Sequence, residues 1–355
     1  MELDVLKKLS EAFGPSGFEG EVRQGLKELL SPYCELSVDR LGSLVGRLRN
    51  GQVGPKVMIA AHMDEIGFIV SHVTSQGFLR FQTVGGWWEQ VMLAQRVTVR
   101  TKKGDVPGVI GSKPPHLMSQ DERKKLVEKK HMYIDIGATT EEEAKQMGVE
   151  PGDPVVPRSE FCLAANGKAV MGKAWDDRLG CAALVELARI LSARELASQV
   201  FLVGTVQEEV GLRGATTSAE LIKPDLAIAV EVDVAGDTPG VEEHESRSKL
   251  GKGPTILLYD SSLIPHGGLL KFIKGVAAQE GVPVQFNSMP GGGTDAGRIH
   301  LSGIGVPSIV VAVPTRYIHS HTGVFHVNDY DNLVRLLAAA ISKLDSEALA
   351  EILGG

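Results

Sequence analysis

The chain has 355 residues, 43% hydrophobic and 23% charged, an ordinary balance for a soluble folded protein with room for one large domain or two. A formal charge of -7 argues against nucleic acid as a partner, since neutralising phosphates takes a basic face; no apolar run approaches the roughly 20 residues that cross a bilayer. Cys34, Cys162 and Cys181 are too few and too scattered for a disulfide framework or a thiolate zinc site, and read as small core or surface residues.

In chain order, Leu3, Leu6, Leu9 and Phe13 mark a helix that stops at Gly14-Pro15-Ser16-Gly17, and a second helix is expected over 19–30. This opening lacks the basic start and apolar stretch of a secretory leader, so a cytoplasmic location is the expectation. The run KVMIAA at 56–61, behind Gly54-Pro55, predicts a strand buried on both faces of a parallel sheet. From about 70 to 163, short alternating runs such as GFLRFQTV and RVTVRT predict a small β-rich unit. Within it, Thr140 with Glu143 has the form of a capping box opening a short helix that ends at Gly148. After Asn166-Gly167 the chain alternates again: a helix at about 177–192, strands at 199–206, 226–231 and 308–313, and a closing helix at about 329–353. The expected fold class is α/β. A mostly parallel sheet with helices on both faces, built from 1–69 and 164–355, carries an inserted small β-barrel-like domain at 70–163.

Ligands of open parallel sheets bind beyond the carboxyl ends of the strands, and those positions are polar here. His62 and Asp64 follow KVMIAA, Glu208 and Glu209 follow VFLVGTVQ, Glu231 follows LAIAV, and His319 lies shortly after SIVVAV. Asp176 and Asp177 open a helix, whose dipole favours anions. Carboxylates gathered on one rim repel, and burying each unpaired costs about several kcal/mol, which divalent cations relieve. The charge excess asks for more than one ion. Imidazoles and carboxylates without thiolate suit zinc, cobalt or manganese in a hydrolytic site, and no HExxH helix is present. Two ions roughly 3.5 Å apart need a bridging carboxylate, for which Asp176 or Asp177 is placed. Asp64 would orient the His62 imidazole from behind. Of the adjacent Glu208 and Glu209, one can bind metal while the other takes a proton from water.

Plainer readings compete. A strand-end histidine is usually structural, Asp176 alone reads as a helix cap, and Glu208 and Glu209 as solvated charges. His321 competes with His319, whereas His72, His116, His131, His244, His266, His300 and His326 read as surface or structural residues. Gly291-Gly292-Gly293-Thr294-Asp295 lacks the ending of a Walker loop and reads as a close-approach loop near substrate. Trp87 and Trp88 read as packing.

The segments AHMDEIGF (61–68), TVGGWW (83–88), YIDIGATTEEEAKQMGV (from 133), KAWDDRLGC (from 173), QEEVGLRGA (from 207), AVEVDVAGDTPG (from 229), GGGTDAGRIH (from 291) and VPTRYIHSHT (from 313) occur in one order. Together they resemble the tetrahedral (TET) aminopeptidases, which include glutamyl and deblocking aminopeptidases, over nearly the whole chain. The resemblance implies a dinuclear metallo-aminopeptidase that releases the N-terminal residue of short peptides. It implies His62 and Glu231 on one metal ion, Glu209 and His319 on the other, Asp176 bridging, and Glu208 as general base. The family usually has Asp where this chain has Glu231, and Asp233 is the alternative ligand. The resemblance further implies two divalent ions per subunit, zinc first with cobalt or manganese as alternatives, and dimerisation through the inserted domain into a tetrahedral dodecamer. A glycoside hydrolase of the endoglucanase type, a metal-dependent deacylase and a non-catalytic metal-binding scaffold are the competing functions.

Overall fold

The computed structural model describes residues 2–51 and 53–354. Apolar residues three or four apart give the opening helices Leu3–Glu11 and Gly20–Leu30 one buried face each, with Leu6 and Leu9 on the first and Val22, Leu26 and Leu30 on the second. The strand Lys56–His62 is buried from Val57 onward. Its side chains alternate as the pleat requires: Val57, Ile59 and Ala61 join one core, Met58 and Ala60 the other. The long helix Trp175–Ser192 packs into the first core and Arg213–Ile222 into the second, so the sheet has helices on both faces.

Gln199–Thr205, Lys56–His62, Leu226–Val234 and Ser308–Arg316 lie side by side and parallel, so four carboxyl ends meet one rim. The flanks are antiparallel, with Cys34–Val38 and Leu44–Leu48 on one side and Gly323–His326, Ala169–Gly172 and Cys162–Leu163 on the other, which makes the sheet mixed around its parallel centre. Beyond this path, Thr255–Asp260 and Gln285–Met289 pair in parallel, the first also meeting Ser308–Arg316.

The six strands Gly67–Val73, Leu79–Val84, Tyr133–Asp135, Gly104–Gly111, Arg96–Thr101 and Pro154–Pro157 close into an antiparallel barrel with its own core, including Phe68, Val97, Val99, Ile110 and Ile134. Inside this stretch, Glu141–Gln146 is helical and Thr140 accepts from the Glu143 amide at 3.1 Å. The reciprocal arm is shifted by one residue, because Glu143 Oε2 accepts from the Thr139 amide at 2.7 Å. The expected closing helix is two, Val327–Ser342 and Ser346–Gly354; the Asp345 carboxylate between them accepts from the Ala348 amide at 2.8 Å and starts the second. Cys34 and Cys181 are buried and Cys162 exposed, all free. Among the described residues no helix is long and apolar enough to cross a membrane.

Candidate metal centre

His62, the last residue of its strand, is 1% exposed, and its ring sits among acids from three other segments. Nε2 lies 2.9 Å from Asp176 Oδ1, 3.8 Å from Glu231 Oε2 and 3.9 Å from Glu208 Oε2. His319 reaches the same place from the turn after Ser308–Arg316, where it holds a left-handed backbone with φ 54°. Its Nε2 stands 3.3 Å from Asp176 Oδ2 and 3.3 Å from Glu209 Oε2. Asp176 thus turns one oxygen to each histidine, the disposition required of a bridge.

Two overlapping sets of donor atoms each cluster tightly enough to hold an ion, His62 with Asp176 and Glu209, and His62 with Asp177 and Glu231. Glu209 Oε1 and Glu231 Oε1 are buried without a hydrogen-bond partner. Buried acid oxygens left without partners, in side chains whose other oxygens stand near imidazoles, are what a divalent cation satisfies, so the residues fit a metal site.

The electrostatics carry the same message. Burial first, then the charges of Glu209, Asp295 and Asp176, push Glu208 well above the usual carboxylate range, although His62 pulls the other way. Glu231 and Asp177 are likewise driven well up, burial leading in both. Burial works to lower the pKa of His319, but Glu209 and Asp176 carry it up to about 11.

Asp64 does more than orient an imidazole. His62 Nδ1 is 3.0 Å from the Asp64 main-chain carbonyl and 3.6 Å from its carboxylate. The carboxylate accepts the amide of Glu208 on Oδ1 at 3.0 Å and that of Glu209 on Oδ2 at 3.1 Å, and Ser16 Oγ donates to Oδ2 at 2.6 Å. It therefore fixes the turn that presents both glutamates. The cap read for Asp176 belongs to Asp177, whose Oδ1 accepts the Gly180 amide at 2.9 Å while Oδ2 accepts that of His62 at 3.2 Å. A side chain at Gly180 would collide with Asp177 Oδ2. That glycine leaves room for the carboxylate.

Asp233, the alternative ligand, has its carboxylate taken up by Asn287 Nδ2 at 3.0 Å and by Ser248. His321 is 3% exposed with neither ring nitrogen hydrogen-bonded, and burial lowers its pKa to about 4. His266 and His326 cap helices, and His300 bonds the Ala296 carbonyl. Trp87 stacks on Phe68 at 4.6 Å as packing, whereas Trp88 is 65% exposed.

Three features escaped sequence reasoning. Glu65 forms a buried ionic cluster with Lys173 Nζ at 2.6 Å and Arg178 at 3.3 Å, clamping the segment that carries Asp176. The Gly85-Gly86 turn, reaching over from the barrel, touches the site: a side chain at Gly85 (φ +80°) would lie 3.1 Å from Glu209 Oε2, and one at Gly86 3.0 Å from His319 Nδ1. Asp295, in the glycine-rich loop, is fully buried beside Glu208, donated to by Thr205, and pushed by burial to about 6. Its position behind three glycines was the available signal.

Residues 42–336 match the family model described as M42 glutamyl aminopeptidase. The chain is 38% identical to the glutamyl aminopeptidase of Lactococcus lactis, over 99% of both chains. Among solved structures it superposes on a TET aminopeptidase from a marine sediment thaumarchaeote with a TM-score of 0.96, 50% identity and 99% coverage of each chain. It also superposes on the Pyrococcus horikoshii TET1 peptidase, described as assembling into a tetrahedron or a large octahedral shell, with a TM-score of 0.86, 35% identity, and 96% and 99% coverage.

Proposed function

The chain belongs to the M42 glutamyl aminopeptidase family, and from that premise we propose that it releases the N-terminal residue of short peptides with Glu208 as general base. The observation that carries this reading is Asp176 facing both His62 and His319, with Glu208 and Glu209 set side by side by Asp64. His62 and Glu231 would hold one divalent ion, Glu209 and His319 the other, and Asp176 would be shared. Zinc suits the donor set best, with cobalt or manganese as alternatives. Such ions, when bound, acidify water and polarise the scissile carbonyl.

Glu208 takes the proton of the attacking water, for which its raised proton affinity is suited, and returns it to the leaving amine. Its peptide N–H is locked by Asp64, so the carboxylate is delivered without a search of backbone conformations. We extend the reading to assembly: dimers formed through the inserted domain at 70–163 would build a tetrahedral dodecamer, a reading supported by the assembly of the P. horikoshii relative into a tetrahedron or a large octahedral shell.

The test is Glu208→Gln. Metal content measured by mass spectrometry should stay at two ions per subunit while turnover of aminoacyl-nitroanilides falls by roughly 10²–10⁴-fold, the usual span for a general base. Undiminished turnover would remove Glu208 from that role. Aminoacyl hydrolysis that survives complete chelation would refute the metal mechanism, and chelation-resistant cleavage of β-glucans would favour a glycosidase.

A further inference from the structure

The loop after the first helix, Gly14-Pro15-Ser16-Gly17, and Glu19 behind it lie against the turn that presents Glu208. Glu19 is 3% exposed and stands at the head of the helix Gly20–Leu30, yet its side chain caps none of that helix's amides. Its Oε1 accepts instead from the Gly17 amide at 2.7 Å and from the Gln207 amide at 3.1 Å, 188 residues away in sequence. Asp64, itself braced by Ser16 of the same loop, receives the next two amides, those of Glu208 and Glu209. Three successive N–H groups of one turn therefore end on two buried carboxylates.

Gln207 is the residue of that turn with most need of a hold. Its φ of 57° lies in the left-handed region, which a residue with a Cβ disfavours by roughly 5- to 30-fold. One hydrogen bond to a carboxylate favours the geometry it needs by roughly 10- to 150-fold, so the bond outweighs the torsional preference. Released, Gln207 would leave the left-handed region and swing the peptide plane it shares with Glu208, whose N–H is the one Asp64 receives. The Glu208 carboxylate would then lose its place 3.9 Å from His62 Nε2.

We propose that Glu19 is a positioning residue for the general base: by receiving the Gln207 amide it keeps that residue left-handed and holds Glu208 where it can take a proton from water. The proposal rests on the reading of Glu208 as that base. Asp64 still holds the Glu209 amide when Glu19 is lost, so turnover should suffer while bound metal is spared.

Glu19→Met and Glu19→Gln are close in volume and differ in the oxygen acceptor. In the metal-loaded full chain, kcat on aminoacyl-nitroanilides should fall roughly tenfold or more in Glu19→Met with KM within about threefold, whereas Glu19→Gln stays within about threefold of wild type in both. Metal content by mass spectrometry should match wild type in both variants. Adding Gln207→Gly to Glu19→Met should recover about threefold or more of kcat, because glycine takes positive φ without penalty; a packing defect at Glu19 would not respond. Independently of turnover, hydrogen exchange at the Gln207 amide should quicken about tenfold in Glu19→Met. Undiminished kcat, unchanged exchange or lost metal in Glu19→Met, equal impairment in Glu19→Gln, or no recovery with Gln207→Gly would each overturn the proposal. Undiminished turnover in Glu208→Gln would instead overturn the reading of Glu208, and this proposal with it.

Discussion

Replacing Glu65 by Ala removes the anion shared by two buried cations, Lys173 at 4% exposure and Arg178 at 0%. Arg178 keeps main-chain acceptors, the carbonyls of Met63 at 2.8 Å and Leu9 at 2.6 Å. Lys173 keeps the Ala12 carbonyl at 3.4 Å. Burial already draws its pKa below the ordinary lysine value, with Glu65 opposing, so the lone ammonium would shed its proton. Breaking a buried pair from one side costs about 3–5 kcal/mol; proton loss from Lys173 and the surviving Arg178 contacts place the expectation at the lower end. Glu65→Ala with Lys173→Met should recover about 1–2 kcal/mol of that loss, because neither group then lacks its partner. Guanidinium unfolding of the chelated protein, followed by the fluorescence of buried Trp175 among the tryptophans, reads both variants. A loss below about 1 kcal/mol for the single change, or strict additivity in the double, would refute the network's role.

Other outcomes follow from the site. Asp176→Asn keeps one oxygen acceptor and loses the charge shared by His62 and His319, so bound metal should fall from two ions per subunit to one or fewer by elemental analysis. Gly85→Ala places a Cβ 2.5 Å from Ile66 Cγ2 in a left-handed backbone, at a cost of roughly 1–3 kcal/mol, and should weaken metal binding through Glu209, read by competition with a chelating dye. In the metal-free protein Asp295 is raised by burial from 3.8 to about 6; its folded form binds the proton more tightly, so its contribution is full below its unfolded pKa and is lost as pH rises through about 6. Denaturation midpoints should therefore fall from pH 4 to 6, and Asp295→Asn should flatten that slope.

Much of this was legible because parallel strands deliver their C-terminal residues to one rim: KVMIAA announced His62, and LAIAV announced Glu231. Asp176, Glu209 and His319 are brought to that rim as well. The partition of work between neighbours was not legible. Whether Asp176 or Asp177 caps the helix turns on which carboxylate meets the Gly180 amide, a matter of backbone angles that residue type does not encode. The same holds for Asp64, whose carboxylate is used by amides 144 and 145 residues away. The split of the closing helix was readable in hindsight from Asp345, a helix-starting residue inside an otherwise periodic run.

The Gly85-Gly86 turn is made by barrel residues, yet it sits within contact distance of Glu209 and His319. A barrel grafted from one relative to another would therefore carry part of the candidate metal centre's surroundings with it. Swapping such modules should alter substrate choice and ion binding together, even when every residue of the α/β layer is kept.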